Sequence, residues 1–299
     1  MKAAVWLALT IIWGLTWLAV RVGLNDLPPM TFAGLRFLLA ATLLLPIVLI
    51  RRTKLSAITA HWQIIVYTGL LVIAIPYALQ FWGQQFVPSG LTAVMFATMP
   101  TFTMVFAHLS IDDDPFTLRR FGGAALGIAG VGLIFSDQLG ADSMLAFWGC
   151  VGFLLGSASQ ALAQVIIKVR GRHIDPLMIA TGQTATGGVL LSTIGISSEG
   201  NPLRIEWTPE AWMSLLYLSV FGSAIAFSLL YWLLRHVKVT TVTSIALAQS
   251  VVAVFAGWIV LGEVLYWTAL LGSAAVLGGL GLIIVQPTGV AKIETGSDS

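Results

Sequence analysis

The sequence predicts an all-α integral membrane protein of ten transmembrane helices, arranged as two inverted five-helix repeats around a central cavity. Three observations carry this prediction. The composition is strongly apolar, ten apolar runs are long enough to cross a bilayer, and a long segment recurs later in the chain with the charges of its loops reversed.

The composition places the chain in a membrane. Hydrophobic residues make up 58% and charged residues 9% of the sequence, whereas an ordinary globular domain is about 25% charged. The mean hydropathy is +0.93. The 15 Lys and Arg residues are scattered, so no nucleic-acid partner is expected, and the single Cys150 excludes an intramolecular disulfide. We expect a multi-pass protein of the cell (inner) membrane.

A transmembrane helix needs about 20 mainly apolar residues. Ten runs meet this requirement, namely Ala3 to Val22, Met30 to Ile50, Trp62 to Trp82, Ser89 to Leu109, Thr117 to Phe135, Ser143 to Val169, Pro176 to Gly195, Pro209 to Leu234, Thr240 to Leu261 and Trp267 to Val285.

The segment Trp62 to Ile134 recurs without a gap as Trp212 to Ile284, offset by 150 residues, with apolar runs, breaks and aromatic residues in step. The first break of copy one, Gly83 to Ser89, is uncharged, whereas the matching break of copy two contains Arg235 and Lys238. Basic residues mark cytoplasmic loops. The two copies are therefore predicted to cross the membrane in opposite senses, as the inverted repeats of many transporters do.

Counting basic residues fixes the predicted orientation. With the amino terminus inside, twelve Lys and Arg residues fall on cytoplasmic segments and only Arg21 and Arg204 on external ones. Both termini are predicted to be cytoplasmic. The predicted domains are residues 1–137 for the first repeat, 138–285 for the second, and 286–299 for a disordered cytoplasmic tail.

No pattern of catalytic residues occurs in the sequence. The four His are far apart, and neither a zinc-protease motif nor a phosphate-binding loop is present. The acidic run Asp112 to Asp114 falls at a predicted cytoplasmic break, where solvation explains it better than metal binding. We therefore expect no enzyme activity, no cofactor and no metal.

Polar amides inside the spans are the strongest candidates for substrate contacts. Gln160 and Gln164 share one face of the sixth span, and Gln80 and Gln249 lie inside the third and ninth. Amides in hydrocarbon need partners, so they should face the bundle interior or water. The alternative is hydrogen bonding from helix to helix.

Aromatic residues at helical spacing form a second set of candidates. Tyr77 and Phe81 lie four residues apart in the third span, and the 150-residue offset maps them onto Phe227 and Tyr231 of the eighth. Trp17 lies in the first span. All five are candidates to line the cavity, and packing against neighbouring helices or lipid is the alternative.

Four further residues are singled out for structural or gating roles. Pro76 and Pro100 fall inside the third and fourth spans, where a proline removes a backbone hydrogen bond and bends the helix, so each is a candidate hinge or a static bend. Arg36 is the clear intramembrane charge, predicted to be structural by binding a carbonyl or reaching the outer interface, with substrate binding as the alternative. Glu263 precedes the tenth span and suits capping or gating.

Several short motifs resemble the drug/metabolite transporter superfamily, EamA type. They are Trp13 to Arg21, Leu27 to Pro29, Leu35 to Ala40, Phe86 to Leu91 with Pro100, and Leu261 to Glu263. The resemblance covers essentially the whole chain. It implies ten helices around a cavity formed mainly by the first, third, fourth, sixth, eighth and ninth, with the fifth and tenth at the periphery. Within the family, the chain looks most similar to exporters of amino acids, including aromatic ones.

The resulting hypothesis is an amino-acid exporter that works by alternating access. No Asp or Glu lies at mid-membrane to carry a proton, so facilitated movement is favoured over proton coupling. The glycine-rich fifth and tenth spans are assigned to helix packing and to the contact of a homodimer. Two alternatives stay open: an efflux pump for apolar cations, and a membrane scaffold without a transport cycle.

Overall fold

A computed structural model describes residues 1–50, 55–83, 86–87, 95–111, 117–136, 143–261 and 266–285. The described part of the first half is helical. Its α-helices are α1 Lys2–Gly23, α2 Pro29–Ile50, α3 Leu55–Gly69, α4 Ile75–Gly83, α5 Met99–His108 and α6 Leu118–Ile134.

The described part of the second half is also helical, and neither half contains a strand within the described ranges. Its α-helices are α7 Met144–Arg170, α8 Pro176–Glu199, α9 Pro209–Ser219, α10 Ala226–His236, α11 Val239–Thr243, α12 Ile245–Leu261 and α13 Trp267–Ile284.

Eight helical segments of the described residues are long and apolar enough to cross a membrane, which makes the chain an integral membrane protein. They are Lys2–Gly23, Pro29–Ile50, His61–Gly83, Met144–Arg170, Pro176–Glu199, Pro209–His236, Val239–Val260 and Trp267–Ile284. Each coincides with one of the ten apolar runs.

The fourth and fifth predicted spans are not among these eight. The fourth, Ser89 to Leu109, begins outside the described residues, and α5 is its described end. The fifth is the 17-residue helix α6, which at 1.5 Å per residue is about 25 Å long and lies at the short end of the range for a transmembrane helix. The count of ten therefore stays a prediction.

Several helices begin at a side-chain cap that the sequence supplies. Thr117, Ser143 and Thr208 each accept a hydrogen bond from a backbone N–H of the first turn that follows. Asp175 caps α8 in the same way. Helix starts have unpaired N–H groups, and these short polar residues satisfy them.

Two π-helical stretches interrupt the third and eighth spans at matching places. Leu70–Ala74 joins α3 to α4, and Val220–Ile225 joins α9 to α10. They begin 150 residues apart, at the offset of the sequence repeat. A π-helix has i→i+5 hydrogen bonds, and such stretches are frequent at functional sites.

Glycines allow two pairs of helices to approach backbone to backbone. In the pair α6 and α13, a Cβ added to Gly130 would lie 2.6 Å from the carbonyl oxygen of Gly272, and one added to Gly123 would lie 2.7 Å from that of Gly279. In lipid, where apolar surface gives no net attraction between helices, close backbone packing of this kind holds them together.

Helices α2 and α8 form the second close pair. A Cβ on Gly34 would lie 2.5 Å from the backbone nitrogen of Ser192, and one on Gly195 would lie 2.7 Å from that of Thr31. The pair is also tied at one end, because the carboxylate of Glu199 at the end of α8 accepts hydrogen bonds of 2.8 Å from the backbone N–H groups of Met30 and Thr31. An acid from another helix thus caps the start of α2.

Other helix contacts surround the interior, and those of α7 correspond to those of α1 in the other half. Helix α7 packs against α4 and α5, while α1 packs against α9, α10 and α12. In terms of spans, the sixth contacts the third and fourth, and the first contacts the eighth and ninth. Every contact in one set therefore has a counterpart in the other, with the two halves exchanged.

Candidate functional site

A cavity lies between the spans that these contacts bring together. It contains about 900 Å³ of space not occupied by atoms, part of which is open to solvent. Its lining residues are Trp13, Thr16, Trp17, Val20, Arg36, Val72, Tyr77, Gln80, Phe81, Phe96, Met99, Gln160, Gln164, Phe227, Leu230, Val242, Thr243, Ile245, Ala246 and Gln249. The first, third, fourth, sixth, eighth and ninth spans all contribute, and α2 adds Arg36.

Seven of the eight residues proposed from the sequence as substrate contacts lie around this one cavity. They are Trp17, Tyr77, Phe81, Gln160, Gln164, Phe227 and Gln249. They come from five spans that are far apart in the chain, so the fold brings the two candidate sets, aromatic and amide, to the same place.

The eighth residue, Tyr231, differs from the expectation. It is buried and does not line the cavity; its hydroxyl instead donates a hydrogen bond to Oε1 of Gln183 on α8. The Nε2 of Gln183 in turn donates to Oγ1 of Thr68, at 2.6 Å. Tyr231 is the repeat partner of Phe81, but it has a hydroxyl that needs a partner in apolar surroundings, and Gln183 supplies one.

Aromatic rings form much of the cavity wall. Trp13 contacts Phe227 with ring centroids 6.1 Å apart, Trp17 contacts Phe96 at 6.3 Å, and Tyr77 stacks with Phe81 at 6.1 Å. Such a wall presents flat apolar faces to an occupant.

Trp13, Phe96 and Gln80 line the cavity without having been among the eight candidates. For Trp13 a signal was available, because it is four residues before Trp17 and shares its helix face. Gln80 is an amide inside the third span and was expected to face the interior on the same ground as Gln249. Phe96 has no distinguishing pattern in the sequence, and only the packing of α5 against α7 places it at the cavity.

The first π-helical stretch is held by side chains of α7. Pro76 has no N–H, so the carbonyl of Val72, four residues before it, lacks its α-helical donor, and Gln160 Nε2 donates to that oxygen at 3.1 Å. The N–H of Ile75 bonds to Leu70 rather than Leu71. Ser159 Oγ donates to the Leu71 carbonyl at 2.8 Å. Gln160 therefore makes a helix-to-helix hydrogen bond, which is the alternative to a substrate contact given above.

The second π-helical stretch is held by side chains of the first half. The N–H of Ala226 bonds to the carbonyls of Phe221 and Ser223 and not to that of Gly222. Trp13 Nε1 and Arg36 Nη2 donate to the Gly222 carbonyl, at 3.2 and 3.1 Å. Gly222 is the repeat partner of Val72, so the corresponding carbonyl of each half accepts a donor from the other half.

Two amide atoms at the cavity have no hydrogen-bond partner among the described residues. They are Nε2 of Gln80, whose side chain is 8% exposed, and Oε1 of Gln164, which is 6% exposed. A buried amide atom without a partner costs about 1–3 kcal/mol. Both atoms belong to side chains that line the cavity, and they are one donor and one acceptor that the described residues leave unused.

Arg36 is buried, with 3% of its surface exposed. Besides the Gly222 carbonyl it contacts Ser223, whose Oγ accepts from its Nε at 2.8 Å. Its Cζ lies 5.0 Å from the centre of the Phe37 ring and 5.5 Å from that of Tyr77. The arginine thus binds a carbonyl and also contributes a positive charge to the cavity wall.

The candidate hinge residues take different positions. Pro76 is the second residue of α4, directly after the π-helical stretch, and Pro100 is the second residue of α5, after a turn at Thr98. Pro76 follows a helical stretch directly, so its missing N–H leaves the Val72 carbonyl without a helical donor. Pro100 lies in the first turn after Thr98, where a proline is tolerated. Glu263 and the acidic run Asp112 to Asp114 lie outside the described residues.

The chemistry of the site suits the reversible binding of a small organic molecule. Its wall offers aromatic faces, amides, one guanidinium and the hydroxyls of Thr16 and Thr243, and none of the lining residues is an Asp or Glu. Among the described residues, no group of three or more His, Cys, Asp and Glu side chains is placed to hold a metal ion.

Comparison with known proteins concerns the family and the fold. The sequence matches the EamA-like transporter family over residues 1–136 and 147–285. It is 30% identical over 274 residues to "Uncharacterized transporter YoaV" of Bacillus subtilis (strain 168), covering 92% of this chain and 93% of that protein. It is 34% identical over 271 residues to "Uncharacterized inner membrane transporter YedA" of Escherichia coli (strain K12), covering 88% and 85%.

The fold also has a counterpart among solved structures. A crystal structure that is 15% identical in sequence superposes with a TM-score of 0.82 over 95% of this chain and 96% of the other. At this identity the likeness concerns the fold alone. Because the family match spans both halves and the relatives align over nearly their whole length, the chain belongs to the EamA-like transporter family and is a membrane transporter.

Proposed function

We propose that this transporter exports amino acids, including aromatic ones, by alternating access and without proton coupling. The observation that carries the proposal is the combination, in one cavity, of an aromatic wall with buried amides that lack partners, Gln80 and Gln164. Aromatic faces can stack on an indole or phenyl ring, and the amides can bond the polar groups of an amino acid.

Alternating access is proposed from an inverted-repeat arrangement with both termini in the cytoplasm. Its support is the basic-residue pattern, the start of the π-helical stretches 150 residues apart, and the exchange of contacts between the halves. Residues 1–137 and 138–285 would form the two repeats, followed by the tail 286–299. In repeats of this kind, substrates bind near the midplane where the halves meet.

The moving parts are proposed to be the interrupted helices. The glycine contacts make α2 with α8 and α6 with α13 two rigid pairs. Between them, the third and eighth spans contain π-helical stretches, and the fourth and ninth contain turns at Thr98 and Ser244. Rocking of helix segments about these four places, with Pro76 and Pro100 beside two of them, would open the cavity to each side in turn.

Facilitated movement is proposed because the lining residues include no Asp or Glu that could carry a proton through the cycle. The same composition opposes the efflux of apolar cations, which would require an acidic group or a cage made only of aromatic rings. Arg36 at the wall would repel a cation. A scaffold without a transport cycle has no need of a cavity lined by aromatic rings and amides.

The experiment is uptake of labelled tryptophan and phenylalanine into proteoliposomes that contain the purified full-length protein. We expect saturable uptake, faster than in liposomes without protein, that is unchanged when a protonophore collapses an imposed proton gradient. Failure of both amino acids to enter, together with competition by quaternary ammonium compounds for another substrate, would reject the proposed substrate class. Uptake that requires the proton gradient would reject the uncoupled mechanism alone.

A further inference from the structure

We propose that Arg36 binds the carboxylate of the transported molecule, so that the transporter selects substrates with a free carboxylate over their neutral or amine analogues. The inference rests on the proposed function and narrows its substrate class. It starts from a buried guanidinium at the cavity wall that forms no ion pair with an Asp or Glu among the described residues.

Burial makes the missing counter-ion significant. Arg36 is 3% exposed, and its hydrogen-bond partners, the Gly222 carbonyl, the Ser223 hydroxyl and Tyr77, carry no negative charge. An ionised side chain inside the membrane is costly, and such residues usually pair with an opposite charge or mark the path of a substrate. The rings of Phe37 and Tyr77 compensate part of the cost but supply no negative charge.

Support of the helix break does not require an arginine. The corresponding carbonyl of the first half, that of Val72, is bound by the neutral amide of Gln160. The Gly222 carbonyl already accepts from the neutral indole of Trp13. The residue 150 positions after Arg36, outside the repeated segment, is Thr186 on α8, whose hydroxyl bonds to its own helix. The Val72 carbonyl is therefore bound by a neutral donor, and only the matching Gly222 carbonyl is also bound by a charged one.

The groups around Arg36 fit the two ends of an amino acid. A guanidinium has five N–H donors and binds carboxylates in a fixed geometry. Gln80, one turn after Tyr77 on α4, has an unpartnered Nε2 that can donate to the same anionic group, whereas the unpartnered Oε1 of Gln164 can accept from an ammonium. The cavity thus has a cationic donor on α2 and an acceptor on α7.

The test compares tryptophan with tryptophan amide, in which a neutral carboxamide replaces the carboxylate. Apparent Kd values come from thermal-stability titrations of the purified full-length protein. The wild type should bind tryptophan at least about tenfold more tightly than the amide, as expected for loss of a charge-assisted hydrogen bond. Arg36→Gln, which keeps hydrogen-bond donors for Gly222, should reduce this preference to about twofold or less.

Two controls complete the experiment. Arg204→Gln makes the same chemical change at an exposed external residue and should keep the wild-type preference. Arg36→Lys keeps the charge and should keep most of it. Equal binding of the two ligands by the wild type, or an unchanged preference in Arg36→Gln, would overturn this inference alone. Binding of neither ligand by the wild type would overturn the proposed amino-acid substrate and this inference with it.

Discussion

Single residues determine what this cavity can bind, and in a membrane the polar ones are the most informative. Gln160, Gln164 and Gln249 could be predicted from the sequence because an amide in hydrocarbon has to face the interior of the bundle. Tyr231 could not be placed in the same way. Its partner Gln183 is 48 residues away in the chain, and only the packing of α8 beside α10 brings the two together.

Arg36 marks another limit of sequence reasoning. The sequence identifies a charge inside the second span but not the direction it faces. That direction is set by the packing of α2 against α8, where Gly34 and Gly195 fix the contact face. It is also set by Gly222, where an added Cβ would lie 2.9 Å from Thr16 and 3.3 Å from the guanidinium.

At this scale we predict that Gln164→Leu reduces tryptophan uptake about tenfold or more. The substitution removes an acceptor that the substrate ammonium would use, and the loss of a hydrogen bond to a charged group amounts to about 1.5–3 kcal/mol. The measurement is the initial uptake rate per protein in proteoliposomes.

Gln63→Leu is the matched control, since Gln63 is exposed on the third span and the same chemical change there should leave uptake within about twofold of wild type. An equal loss in both variants, or wild-type uptake by Gln164→Leu, would remove Gln164 from the binding site.

The interrupted helices show which structural elements the sequence could and could not indicate. Pro76 predicts a break in the third span, and the π-helical stretch lies directly before it. The eighth span has Ala226 at the matching position and no proline signal, yet it contains the second π-helical stretch. There the break coincides with donors from other helices, Trp13 and Arg36, which local sequence does not reveal.

Glycine-rich helices were easier to interpret. The glycines of α6 and α13 were assigned to packing from composition alone, and the two helices are in close backbone contact through Gly123, Gly130, Gly272 and Gly279. Which glycines take part could not be predicted, because adjacent residues of a helix point in different directions. One can face the neighbouring helix while the next faces lipid. Gly122 and Gly281 have open space beside their Cα atoms.

For this element we predict that Gly123→Ala lowers thermal stability relative to Gly122→Ala. Both substitutions gain the same intrinsic helix preference, about 1 kcal/mol. Only the Cβ at residue 123 meets a backbone carbonyl, at 2.7 Å from Gly279, and must displace it. The overpacking cost is about 1–3 kcal/mol.

The measurement is the apparent Tm of the two purified variants in the same detergent. Gly122→Ala should melt at or slightly above the wild-type temperature and Gly123→Ala several degrees below it. Equal melting temperatures would mean that the contact of α6 with α13 does not hold the fold together.

At the scale of the whole molecule, the sequence predicted an all-helical membrane protein, and eight of its ten expected spans coincide with membrane-length helices. The family resemblance is confirmed by the match over both halves. Hydropathy is sufficient to locate the spans, because the thickness of the bilayer requires a similar length of apolar helix for each of them. The position of the cavity depended on the contacts of α7 and α1, which join residues far apart in sequence.

Everything proposed about the transport cycle depends on the two halves crossing the membrane in opposite senses. The single Cys150 makes this directly measurable, since Cys150→Ser gives a background without cysteine. In that background, Phe86→Cys and His236→Cys probe one pair of positions 150 residues apart, and Leu118→Cys and Thr268→Cys probe a second pair.

The deciding measurement is labelling of these four variants in intact cells by a membrane-impermeant maleimide. We predict that Phe86→Cys and Thr268→Cys react from outside, whereas His236→Cys and Leu118→Cys react only after the membrane is permeabilised. Reaction of both members of either pair from the same side would contradict the inverted arrangement, and with it the proposed alternating-access mechanism.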